Sequence, residues 1–103
     1  MTLDAFKSLL DAPSPPADLP PLLLALWHDA RGDWAAAHEV AQAVDDADGA
    51  WVHAYLHRKE GDAFNAGYWY RRAGRPVCRE PLTREWAEIA EDLVARIDRM
   101  STG

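Results

Sequence analysis

The sequence predicts an all-α protein of about six helices, with two helical hairpins held between an N-terminal and a C-terminal capping helix. Three observations carry this. No stretch alternates apolar and polar residues with period two over more than a few positions, so no strand is signalled. The segment from Thr83 to Met100 puts Trp86, Ile89, Ala90, Leu93, Val94, Ile97 and Met100 on one helical stripe among acids and arginines. Upstream of it a helix, Gly-Asp, helix pattern occurs twice: "PPLLLALWHDAR", "GD", "WAAAHEVAQAV", then "GAWVHAYLHRKE", "GD", "AFNAGYWYRRAG".

The elements follow in order. Residues 1–12 carry Leu3, Phe6, Leu9 and Leu10 at helical spacing. Residues 13–20 form a stiff linker, because "PSPPADLPP" holds five of the seven prolines, and proline fixes φ and disfavours helix in the residue before it. Asp18 is the expected cap of the next helix, with Pro20 and Pro21 in its first turn, where missing N–H groups cost little. Residues 21–46 and 49–74 make the two hairpins. In each, the glycine (Gly32 or Gly61) ends the first helix in the left-handed conformation, and the aspartate (Asp33 or Asp62) caps the second. "RPVCREPL" has two prolines and no helical period, and Thr83 stands where the cap of the last helix, 83–100, belongs.

At 103 residues the chain suits a single domain, and its 49% apolar and 27% charged content is ordinary for a folded globular protein. The net charge of −6 is uneven: residues 1–50 hold two Lys/Arg against nine Asp/Glu, residues 51–103 nine against eight. That balance argues against nucleic acid as a partner, since polyphosphate binding needs many basic contacts. Cys78 is the one cysteine, which excludes an intrachain disulfide, and the start does not resemble a secretion signal, so a cytoplasmic location is expected. The longest apolar run, Pro20 to Trp27, falls far short of the roughly 18 residues a membrane span needs.

Superposing Gly32 on Gly61 aligns Ala25–Val44 with Ala54–Ala73 and gives identities at Ala25/Ala54, His28/His57, Gly32/Gly61, Asp33/Asp62 and Ala37/Ala66. Small residues flank the turn where two helices approach. This pattern resembles the tetratricopeptide repeat family over roughly residues 20 to 76. Ala54, Gly61, Asp62, Ala66, Tyr70 and Ala73 match its register in the second unit, and Ala25, Gly32, Asp33, Ala37 and Ala41 in the first. The units recur at 29 residues where the family uses about 34, which places a clipped link near Asp45 to Gly49. The resemblance implies an interaction or scaffold module that binds a protein or peptide along a groove lined by the first helix of each pair. Trp27, His28, Trp51, Tyr55 and His57 are the residues expected there, and an exposed tryptophan on such a groove makes a strong contact. The same aromatic surface suits closure of a homodimer.

Two clusters offer chemistry. His53 and His57, four apart on one helix face, have the spacing of metal ligands, with Glu60 one turn on and His28 at the repeat position of His57. A small metal- or anion-binding protein, or an enzyme, built on a His28, His53 and His57 cluster is therefore the alternative function, with zinc as the metal and Glu60 as a further ligand. The plain reading is that this face packs against its neighbouring helix. "YWYRRAGRPVCR" interleaves three aromatics with four arginines and no acid. Arg71 and Arg72 suit a helix C-terminus, which leaves Arg75 and Arg79 to meet an anionic or acidic partner. No catalytic residue emerges: "HEVAQ" lacks the second histidine of a metalloprotease motif, serine is scarce, and Cys78 has no identifiable base.

Overall fold

The computed structural model describes the backbone of residues 1–102 and the side chains of residues 1–97. Among these the chain is all-helical, with no strand: α1 (Leu3–Ser8), a 3-10 turn (Leu9–Asp11), α2 (Pro21–Ala30), α3 (Trp34–Gln42), α4 (Ala47–Lys59), α5 (Ala63–Ala73) and α6 (Leu82–Thr102). None of the described helices is long and apolar enough to cross a membrane.

The two hairpin turns are built alike. Gly32 and Gly61 have φ of 84° and 90°, the left-handed region that disfavours a side chain. The Asp33 N–H donates to the His28 carbonyl at 2.9 Å, and the Gly32 N–H to the Asp29 carbonyl at 3.0 Å. Asp62 to His57 and Gly61 to Arg58 repeat this at 2.9 and 3.1 Å. The double closure is a Schellman motif, which satisfies carbonyls that a helix end leaves without partners. Each aspartate then caps the following helix, accepting from the Ala36 or the Asn65 N–H, both at 3.1 Å. His28 and His57 thus occupy the same backbone position in the two turns.

Other helix ends depart from expectation. α2 is entered through Pro20 with no side-chain cap, so Asp18 does not cap it. Thr83 lies within the first turn of α6, and the Pro81 carbonyl accepts from the Arg84 and Glu85 N–H groups at 3.0 and 3.1 Å. α4 begins inside the clipped link because Asp46 caps it, accepting from the Gly49 N–H at 2.8 Å. There the chain folds back so tightly that a Cβ on Gly49 would overlap the Val44 carbonyl oxygen.

The centre of the fold is α4. It packs against α2, α3, α5 and α6, and Gly49 to Leu56 are buried without a break. A helix enclosed on all sides carries no clean amphipathic stripe. α6 lies across α1, α2 and α4 and buries Trp86, Ile89, Ala90, Leu93 and Val94, with Ile97 partly covered. Met100, the last residue of the expected stripe, lies outside the described side chains. Trp86 stacks on Phe6 at 5.7 Å and donates its indole N–H to the Leu26 carbonyl at 3.1 Å.

Two carboxylates are buried within this packing, and each is fully engaged. Asp29, 2% exposed, accepts from the Tyr55 hydroxyl at 2.6 Å and from Lys59 Nζ at 2.9 Å. Glu85, 1% exposed, accepts from the Tyr70 hydroxyl at 2.6 Å and from the Arg58 guanidinium at 2.9 Å. Arg58 also donates to the Glu80 carbonyl. Adjacent residues on α4 therefore neutralise acids on two different helices, which is what makes burial of those acids tolerable.

Candidate metal centre

The groove expected along the first helices is not open. α6 packs on both α2 and α4, so Trp27, Trp51 and Tyr55 are core residues, 4%, 6% and 2% exposed. The Trp27 N–H is taken by the Leu9 carbonyl and the Tyr55 hydroxyl by Asp29. Trp34 on α3 and Trp69 on α5 are only half-buried. The tryptophans divide this way because α2 and α4 are the inner helices of the stack, whereas α3 and α5 have an outer face. Arg75 lies over the Trp51 ring at 3.4 Å and pairs with Asp92 at 3.8 Å, while Arg79 is exposed in the loop before α6. Cys78, half-buried in the same loop, has its thiol pKa pushed up by burial, the opposite of an activated nucleophile.

The histidines converge, with one exchange of membership. His53 and His57 of α4 meet His38 of α3, with one ring nitrogen from each within 4.8 Å of the others. His28 is not among them: it sits on α2, edge-on to Trp27 at 5.3 Å. Hairpin stacking explains the exchange, since the second helix of one unit lies against the first helix of the next, and α3 packs on α4. "HEVAQ" carried the missing ligand, but no local spacing links His38 to His53 fifteen residues away; only the stacking order does.

The geometry is tight. His38 Nε2 and His53 Nε2 are 3.0 Å apart. Tetrahedral zinc with nitrogens about 2.0–2.1 Å away sets such atoms about 3.3 Å apart, so a small outward shift admits an ion. Two tryptophans brace the rings: Trp34 stacks on His38 at 4.9 Å and Trp69 on His53 at 3.9 Å. Trp34 is itself fixed, its N–H donating to the Leu56 carbonyl at 2.7 Å. On His57 the Nδ1–H donates to Glu60 Oε1 at 2.7 Å, which in the neutral ring leaves the Nε2 lone pair for the cluster.

Electrostatics favour the uncharged form of His38 and His53. Burial, reinforced by His38 and His57, holds the His53 pKa down at about 4. Burial and His57 also lower that of His38, against a raising influence from Glu60. Neutral imidazole is the form that ligates a metal. Glu60 and Asp62 form a second potential group with His57 alone. Asp62 is committed elsewhere, however, accepting from the Asn65 backbone N–H and from Asn65 Nδ2 at 3.1 and 2.6 Å, bonds that keep its carboxyl pKa low. No family model, curated protein or solved structure matches the chain, so the side chains of this cluster are the ground for a functional reading.

Proposed function

We propose that this protein binds one first-row transition-metal ion, zinc or a neighbour in the series, through His38, His53 and His57, with Glu60 orienting His57. In this reading the hairpins are shortened tetratricopeptide-like units that act as the frame. The observation that carries it is the convergence of three imidazole nitrogens within 4.8 Å from two helices. Packing alone does not call for three imidazoles side by side, and an all-imidazole donor set suits zinc, copper or nickel better than magnesium or calcium.

Calorimetric titration of the full chain, purified without a polyhistidine tag, tests the proposal. One zinc per chain is expected. Glu60→Gln should weaken binding about 10–100-fold, the usual effect of removing a carboxylate that orients a ligating histidine, and His38→Phe should abolish it. Wild type indistinguishable from His38→Phe would sink the proposal.

A second reading, a docking surface for a protein, rests on the outer face of α5. Phe64 is 85% exposed there and Tyr68, one turn on, 42%. A second copy of the chain is the simplest occupant of this face, where a further hairpin would otherwise stack. Sedimentation equilibrium should then show a dimer that Phe64→Glu dissociates, and a monomer at all concentrations removes this reading.

A further inference from the structure

Resting on the metal-binding reading, we infer that the centre has only three protein ligands and that its fourth position takes water, exchangeable for a small monodentate anion. The metal would then be an accessible Lewis acid and not a structural staple. Structural zinc sites close with four protein donors; sites that keep three use the fourth position for water or substrate.

The argument is one of elimination among the described residues. No fourth His, Cys, Asp or Glu joins the group of three. Glu60, three residues after His57, is occupied by His57 Nδ1 at 2.7 Å, and Glu39, next to His38, is exposed and outside the group. Asp62 holds the N-terminus of α5, and drawing it to a metal would break both its bonds to Asn65. Cys78, the one thiol, lies in the loop before α6, in a cavity with Trp51 and Arg75. The flanks of the site are filled by aromatic rings that offer no metal-ligating atom: Trp34 against His38 and Trp69 against His53.

Room for an incoming ligand lies beside His53, among side chains of both charges. His53 borders a cavity of about 250 Å³ that Trp69, Arg72, Asp45 and Asp46 also line, with Arg72 3.9 Å from Asp45. The Arg72 guanidinium sits 5.2 Å from the Trp69 ring centroid. The exchange itself is a simple substitution: the metal–water bond breaks, water leaves intact, and the anion's lone pair forms the new bond with no change in oxidation state. With no anion present, the bound water can lose a proton to solvent far more readily than bulk water does.

Cobalt(II) is the probe, because its visible bands report coordination number and ligand identity. The full chain is titrated with cobalt(II) and then with sodium azide, alongside Asp62→Asn, which keeps a capping side chain while removing the carboxylate. Expected are the intense bands of a four-coordinate ion at one equivalent, a saturable shift with azide fitting one site, and the same spectrum in Asp62→Asn. Four-coordinate bands that azide leaves unmoved, or bands altered by Asp62→Asn, would overturn the open position while leaving metal binding intact. If no cobalt bands appear, the parent reading fails and this inference with it.

Discussion

α4 separates two kinds of buried polar chemistry. Toward α2 and α6, Asp29 and Glu85 each meet one tyrosine hydroxyl and one cation, so acceptors and donors are matched. Toward α3 and α5, His38, His53 and His57 bring together more ring lone pairs than their mutual contacts use. Both regions are well packed, but only the second has bonding capacity left over. Matched groups stabilise the fold whatever the solution contains, whereas surplus acceptors gain their full stabilisation from a ligand.

The largest effect that would sharpen this contrast is expected from Glu85→Ala. It leaves the buried Tyr70 hydroxyl without its acceptor, and Arg58, whose side chain is 21% exposed, without a carboxylate and with only the Glu80 carbonyl. A loss of about 3–5 kcal/mol in denaturant unfolding follows, and zinc should not repair the missing pair. Next comes zinc itself. At a hundred times its Kd it should stabilise the wild type by about 2.7 kcal/mol and His38→Phe not at all, read as a shift in Tm. Equal shifts in the two proteins would erase the distinction between the two sides of α4. Tyr55→Phe should cost less, about 1.5 kcal/mol, because Lys59 still pairs with Asp29.

The smallest effect near neutrality becomes visible only in alkali. Burial first, then the bonded carboxylates, raise the pKa of Tyr55 and Tyr70 above the ordinary value of 10.0. The folded-state value is the higher one, so the contribution is whole below pH 10 and shrinks above it, as the unfolded chain releases protons that the folded chain keeps. Absorbance at the phenolate band should show two fewer tyrosines ionising in native protein than in urea. Full ionisation without unfolding would break the claim that this side is closed.

What could be read from the sequence was what neighbouring residues decide. The Gly-Asp turns form by bonds spanning a few residues, and the α6 stripe is a periodicity along one helix; both are found where expected. Glu85 was hidden among the acids of α6, although it stands four residues before Ile89 and hence on the core face. The tryptophans could not be sorted, because a residue faces the core only if another helix lies there, and the stacking order decides that. His38 was missed for the same reason: its partners lie on α4, fifteen and nineteen residues on. Pairing His28 with His57 by repeat position matched two equivalent places that the fold keeps on different helices, with only His57 facing α3.

The placement of α6 has a competitive consequence. It covers α2 and α4 while tethered to α5 by the short segment 74–81. A tethered occupant acts at an effective concentration of order millimolar. If α6 on its own bound that surface with micromolar affinity, its tethering would weaken the apparent affinity of any free peptide about a thousandfold. Any ligand for those inner helices has first to displace Trp86 from Phe6 and Leu26.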